Sequence, residues 1–317
     1  MNVLISDKLS PKAKELLEKH EIEVDEKVSL TEEELIKIIA KYDALIVRSD
    51  TKVTAKILEA GTKLKIVGRA GVGTDNIDKE KAAELGIAVE NTPFGNTNAA
   101  AEHTLTLLMI LAKHIVHSNQ SMKNGEWNRK AFKGTELKGK TLGLIGFGNV
   151  GSKVGLVAKA LEMNVVVYDP FVKDEKLAEF GFTRVTFEDL IKTSDYISPH
   201  VPLNDKTKNM IDKEQFNEMK KGVRILNVAR GGVINEPALL DALNSGKVAA
   251  AALDVYSDEP PTNTDLIKHD GVIATPHLGA STSEAQENVA LDVAEQIVQG
   301  LNEGKIMFSV NGIEKLR

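Results

Sequence analysis

Three side chains in the second half of the sequence have the chemistry of a site that moves a proton beside a bound acid: Arg230 in NVARGG, Glu259 in LDVYSDEPP and His277 in TPHLGAST. An imidazole takes up and returns a proton near neutral pH. A carboxylate hydrogen-bonded to it would orient the ring and favour its charged form. A guanidinium grips a carboxylate with parallel N–H groups and polarises an adjacent carbonyl. Together they suit oxidation of an alcohol carbon next to a carboxylate, or the reverse, with His277 as base in one direction and acid in the other. Each follows a short apolar run (RILNV, AAALDV, VIA), so each would stand where a strand ends. Taken singly, His277 also reads as a loop residue, Glu259 as a solvated turn residue and Arg230 as a surface cation. Their common placement is what groups them, because strand carboxyl ends open onto the ligand crevice of a doubly wound sheet.

A partner for such chemistry is written in Gly146-Phe147-Gly148-Asn149-Val150-Gly151. The GxGxxG spacing alone is a weak signal, since glycine-rich turns also serve ordinary chain reversal. Here it follows the strand pattern TLGLI, opens the helical stretch VGSKVGLVAKAL and precedes VVVY ending at Asp169. That is the βαβ context of a dinucleotide site. Gly146 would make the tight turn, Gly148 would let backbone approach the pyrophosphate and Gly151 would let the helix pack closely. The pyrophosphate would rest on N–H groups at the helix N-terminus. Asp169 could accept from ribose hydroxyls and would repel a 2′-phosphate, favouring NAD over NADP; its plainer reading is a turn aspartate before Pro170.

The elements that must position these groups read as α/β with parallel sheets. Val3–Ser6, Ala44–Val47, Lys65–Gly68 and Ile87–Glu90 read as strands, with helices over Pro11–Lys19 and Thr31–Lys41, where Thr31 and Glu34 have capping-box spacing. A second strand series starts at Leu142 and runs through Val165–Tyr168, Tyr196–Ser198, Arg224–Val228, Ala250–Val255 and Val272–Ala274. Ser281 and Glu284 repeat the capping spacing at the head of a helix reaching about Gly300. At 317 residues and 42% hydrophobic content, two domains are expected. No cysteine is present, which removes thiolate nucleophiles, disulfides and Cys-ligated metals. The formal charge of −6 and the lack of a basic block argue against nucleic acid. MNVLISDKLS lacks the pattern of a signal peptide, and Leu105–Ala112 is shorter than the ~20 residues of a membrane span, so no membrane partner and a cytoplasmic location are expected. His114 and His117 stand three apart on an expected helix Ala100–Ile115 but lack a third ligand nearby in sequence, so no metal is expected. That helix is more apolar than one buried face requires and reads as an interface element.

TLGLIGFGNVG, HVPL at His200–Leu203, NVARGGVINEPAL, ALDVYSDEPP and TPHLGAST, in this order over essentially the whole chain, resemble the motif series of the D-2-hydroxyacid dehydrogenases. The resemblance implies Arg230, Glu259 and His277 in the roles above. It also implies NAD contacts from Asn149, Val150, Asp169, Val201, Val228, Ala229, Arg230, Asp254, His277, Gly279 and Ala280. It implies a Rossmann-type doubly wound domain, 99–282, inserted in a smaller flavodoxin-like substrate domain made of 1–98 and 283–317, and a homodimer built around the nucleotide domains. Arg48 in IVRSDTKVT, GRAGVGTDNID, NTPFGNTNAAAEHT with Asn96, and GEWNRKAFKGTELKGKTLG most resemble the phosphoglycerate dehydrogenases of that family. This implies NAD-dependent oxidation of D-3-phosphoglycerate to 3-phosphohydroxypyruvate in serine biosynthesis. Gly71, Val72 and Gly73 offer backbone donors for a carboxylate, and Arg48, Arg69 and Arg129 are available for a phosphate, Arg48 first. Arg129 is expected to reach a neighbouring subunit, with Trp127 across the dimer contact. Members of that group often continue into C-terminal regulatory modules; the sequence here stops at Arg317, so no serine feedback through such a module is expected. Two alternatives remain open at this level: a reductase of glyoxylate, hydroxypyruvate or another D-2-hydroxy acid, and an NAD-sensing interaction module like the transcriptional corepressors that resemble the family.

Overall fold

The computed structural model describes residues 1–316. The chain forms two compact units, one of Met1–Thr97 with Ser281–Arg317 and one of Asn98–Ala280. The first is built on five parallel strands, β1 (Asn2–Ile5), β2 (Glu23–Glu26), β3 (Ala44–Val47), β4 (Ile66–Arg69) and β5 (Ala88–Asn91), in the order β2-β1-β3-β4-β5. This is the flavodoxin-like order. All four residues of β3 are buried, as a parallel strand covered on both faces requires. Alternation along β1 sends Val3 and Ile5 to a core shared with Val289, Val293 and Ile297, and Leu4 to the opposite core with Leu35, Ile57 and Leu58.

Helix starts follow local chemistry. Pro11 opens the helix Pro11–Lys19, and Thr31 and Glu34 form a reciprocal capping box on Glu32–Ile38. The long helix Ser283–Glu303 is capped by Thr282, which accepts from the Ala285 amide, rather than by Ser281, and it ends at Gly304 in the left-handed region. The expected continuous helix over 100–115 is corrected: Thr97–Lys113 and Ile115–Lys123 are separate helices, broken where His114 takes φ +52°. His114 and His117 therefore do not share one regular helical face, and among the described residues no cluster suited to a metal ion occurs. Among the described residues no single helix is long and apolar enough to cross a membrane; these two pass that test only as a pair bent by 65°.

The second unit holds seven parallel strands: β6 (Thr141–Ile145), β7 (Asn164–Tyr168), β8 (Thr183–Arg184), β9 (Tyr196–Pro199), β10 (Val223–Asn227), β11 (Val248–Leu253) and β12 (Val272–Ala274). Their order, β12-β11-β10-β9-β6-β7-β8, reverses direction at β6 and β9. That reversal creates the crevice at strand carboxyl ends where doubly wound sheets bind nucleotides.

The closeness of helix Ser283–Glu303 to its sheet depends on Gly68. A Cβ there would lie 2.6 Å from Val293 Cγ2 and 3.2 Å from Ile297 Cδ1. Gly68→Ala should therefore cost about 1–3 kcal/mol by overpacking. Thermal unfolding checks this: Tm should fall, and Gly68→Ala with Val293→Ala should be more stable than the two single losses added together. Simple additivity would refute the contact.

Candidate active site

Each glycine of the fingerprint meets a different steric demand. Gly146 has φ +96°, and a Cβ on it would fall 2.5 Å from the His200 carbonyl oxygen and 2.9 Å from Val201 Cγ1. The β6 and β9 loops thus touch at the switch point, and Val201 stands beside the turn. Gly151 packs onto Gly146, whose carbonyl oxygen would be 2.4 Å from an added Cβ, so the helix sits directly on the turn. Gly148, the N-cap of helix Asn149–Ala160, has nothing within 4 Å of an added Cβ. The surface over it is open, and the first-turn amides that a helix leaves over lie beneath. Val150 packs inward. This cradle fits a dinucleotide pyrophosphate.

Asp169 follows β7. Its Oδ2 accepts from the Phe147 amide at 2.8 Å and its Oδ1 from the amides of Phe171 and Val172 at 2.8 and 3.1 Å. The carboxylate is thereby fixed at the rim of the glycine turn, with lone pairs remaining for ribose hydroxyls.

The trio comes from three adjacent strands, β10, β11 and β12, through loops that press on one another. A Cβ at Gly231 would lie 1.7 Å from the Tyr256 carbonyl oxygen, so the Arg230 loop lies against the turn that carries Glu259. A Cβ at Gly279 would lie 3.0 Å from Val228 Cγ1 and 3.1 Å from Asp254 Oδ2, so the His277 loop lies against both neighbours. Asn227 shapes the first loop by donating to the Arg230 carbonyl at 2.9 Å and accepting from the Ala229 amide at 3.1 Å. Arg230 itself donates to the Ala229 carbonyl at 2.6 Å. The His277 Nδ1 is 2.7 Å from Glu259 Oε2, while Glu259 Oε1 accepts from the Tyr256 amide at 3.3 Å. A carboxylate only accepts, so the proton sits on Nδ1 and Nε2 is left for chemistry. Burial pushes the Glu259 carboxyl up, but the His277 hydrogen bond and charge outweigh it and hold the group below its ordinary 4.5. His277 has φ +55°, a conformation rare for a side chain of this size and concentrated at functional sites.

Of the residues that hold this loop, Asp254 is expected at the site from the sequence as an NAD contact, whereas Tyr256 and His103 carry little sequence signal. Asp254 is fully buried and accepts from Thr275 Oγ1, the Leu278 amide and the Gly279 amide at 2.6, 2.7 and 2.8 Å. The Tyr256 hydroxyl lies 3.0 Å from the carbonyl oxygens of Leu253 and Thr275, and burial foremost pushes it up to about 12, so it stays a neutral donor. His103, on helix Thr97–Lys113, reaches Asp254 Oδ1 at 3.2 Å and was not among the sequence candidates. A histidine mid-helix gives no hint of a partner some 150 residues later. Ala280 closes the unit and is half-buried.

In the first unit, neighbouring strand ends gather the proposed substrate groups. Val47, Arg69 and Asn91 end β3, β4 and β5 in matched register. Buried Asp7 accepts from the Arg48 amide at 2.5 Å and from Thr51, and Asn76 donates to the carbonyls of Arg48 and Thr51. Gly71, at φ +140°, lies under the Arg69 guanidinium, which leaves no room for a Cβ. The Asn91 side chain donates to the Val72 carbonyl at 2.6 Å, and among the described residues the amides of Gly71, Val72 and Gly73 meet no acceptor. Asn96 stands half-buried in the turn after β5. Arg129 belongs to the other unit, exposed on the segment after helix Ile115–Lys123 beside Trp127 and Phe132.

Comparison with known proteins matches this geometry to a family. Residues 105–279 fit the NAD-binding domain of the D-isomer specific 2-hydroxyacid dehydrogenases. The chain is 49% identical over 299 residues to the D-3-phosphoglycerate dehydrogenase of Archaeoglobus fulgidus, covering 94% of this chain and 57% of that protein. It spans about half the length of the curated relatives it matches. Among solved structures it is similar to a glyoxylate reductase from Paecilomyes thermophila, with a TM-score of 0.91 at 30% identity over 98% of both chains. It also resembles the NAD-bound 3-phosphoglycerate dehydrogenase of Entamoeba histolytica, with a TM-score of 0.83 at 31% identity and 98% coverage of both chains. The glycine cradle at a sheet's switch point, the trio at its strand ends and these matches agree: the chain belongs to the D-isomer specific 2-hydroxyacid dehydrogenases, with NAD as the cofactor of its second unit.

Proposed function

We propose that the chain interconverts D-3-phosphoglycerate and 3-phosphohydroxypyruvate. The observation that carries this reading is the 2.7 Å pair of His277 and Glu259, set on loops packed against the one that bears Arg230. NAD, when bound, supplies the acceptor or donor of the hydride. His277 Nε2 takes the hydroxyl proton during oxidation and returns it during reduction. Glu259 keeps the ring oriented and balances its positive charge. Arg230 grips the substrate carboxylate and polarises the reacting carbonyl. Changing His277 to Ala should lower kcat by about 10²–10⁴-fold; turnover within twofold, roughly, of the parent would reject the assignment.

Support for a phosphorylated substrate comes from the basic groups of the first unit and from the relative named D-3-phosphoglycerate dehydrogenase at 49% identity. Arg48 and Arg69 are the phosphate ligands in this reading, with Arg129 a further candidate from a second subunit. The amides of Gly71, Val72 and Gly73, together with Asn96, serve the carboxylate end. NADH oxidation with phosphohydroxypyruvate, hydroxypyruvate and glyoxylate tests it. The phosphorylated acid should lead in kcat/KM, and Arg48→Gln should erode that lead by about 10- to 100-fold, the worth of a charged hydrogen bond. Equal efficiency across the panel would favour a glyoxylate reductase, the activity named for one structural neighbour.

Glu259 also sets a pH expectation. Its carboxyl lies below the ordinary 4.5, so its pairing with His277 is fully present above pH 4.5 and is lost only as pH falls through that lowered value. In a kcat profile, the acid limb that Glu259→Gln removes should lie below pH 4.5; a Glu259 limb above pH 4.5 would refute the pairing.

A homodimer is part of the same reading. Ile115, Val116, Met122 and Trp127 expose apolar surface along one stretch of the second unit, Trp127 to 75%. Sedimentation should give twice the chain mass, and Trp127→Asp with Val116→Asp should shift it to the monomer. An active parent monomer would overturn this.

A further inference from the structure

The acid–base histidine of the proposed reaction stands on a loop whose backbone is held from below by one carboxylate. Asp254 Oδ1 receives Thr275 Oγ1–H and the Leu278 N–H, and its Oδ2 receives the Gly279 N–H, so the aspartate grips the chain on both sides of His277. Asp254 is fully buried. A buried carboxylate keeps its charge, and so its grip on amides, only while enough donors point at it. Burial pushes this carboxyl up, and the opposing hydrogen bonds, with that of His103 foremost, bring it below its ordinary range.

His103 is the donor that comes from outside the loop. Its Nε2 lies 3.2 Å from Asp254 Oδ1 and 3.2 Å from Thr275 Oγ1. Thr275 spends its hydroxyl proton on Asp254 and accepts with its lone pairs, so one N–H of the imidazole serves both atoms. The ring is anchored on helix Thr97–Lys113, whose Ala101, Leu105, Leu107 and Leu108 lie in the core around β6. A rigid element thereby fixes the aspartate, the aspartate fixes the loop, and the loop keeps His277 at φ +55°. We propose that His103 is a positioning residue for His277, acting through Asp254 and Thr275. This rests on the reading of His277 as the acid–base group.

Gln tests the role, because its Nε2–H can still donate to the carboxylate, whereas Leu keeps bulk and loses the donor. In the full, ligand-free chain, hydrogen exchange of peptides spanning 275–280 should speed up by about tenfold or more in His103→Leu and return towards the parent rate in His103→Gln. Protection of β6, β9 and β10 should be unchanged, which shows that the variants fold. In turnover with saturating NADH, His103→Leu should lower kcat by about 10- to 100-fold with KM for the 2-oxo acid within about threefold, and Gln should restore much of kcat. Unchanged exchange at 275–280 in the Leu variant overturns the proposal. So does equal damage from Leu and Gln, which would trace the loss to packing. If the parent chain turns over no 2-oxo acid, the assigned reaction fails, while the exchange result still decides the role of His103.

Discussion

Burying a carboxylate is costly unless its lone pairs are met, and the second unit turns that cost into geometry at Asp254. The two loops that follow β11 and β12 share this one anion, which binds Thr275, Leu278 and Gly279. Backbone held this way tolerates a histidine in the left-handed region, where an unsupported loop would relax. The short contact between His277 and Glu259 is then a product of the loop's shape rather than of the two side chains alone, both of which are partly exposed. The same device recurs in the first unit, where Asp7, in the loop after β1, gathers Arg48 and Thr51 from the loop after β3. In both units, aspartates buried behind the strand ends build the platforms, and partly exposed residues stand on them.

Glycine does the complementary work. Gly146, Gly231 and Gly279 each sit where an added Cβ would strike a neighbouring loop, so loops from successive strands close up without a gap. Gly148 is the exception, open above, and its openness is what leaves room for a phosphate to approach the backbone. Four glycines of similar appearance in the sequence therefore divide into three that serve packing and one that leaves the backbone open above it.

The parallel cores were legible because a strand buried on both faces must be apolar throughout: ALIV, TLGLI and RILNV announce β3, β6 and β10. Of the four edge strands, β5 and β12 were legible and two were not. β2 reads EVDE and β8 reads TR, and neither is anchored by an apolar face, so only their pairing to β1 and β7 reveals them. Boundaries drifted by a residue or two for the same reason, since strands end where a partner ends and not where hydropathy does. The helix break at His114 had no glycine or proline to mark it. Arg230, Glu259 and His277 stood out because each closes an apolar run. Asp7, His103 and Asn76 did not, because their importance lies in partners brought near only by the folded chain.

The three amides that converge on Asp169 have an implication for coenzyme engineering. Replacing that aspartate to admit a 2′-phosphate would remove the acceptor of Phe147, Phe171 and Val172 together, loosening the glycine turn while changing its charge. Arg184, the nearby cation, is already committed to the Asp169 and Val172 carbonyls and to Asp174. With Asp169 read as the ribose acceptor, admission of the phosphorylated coenzyme requires rebuilding that corner of the loop rather than exchanging one side chain.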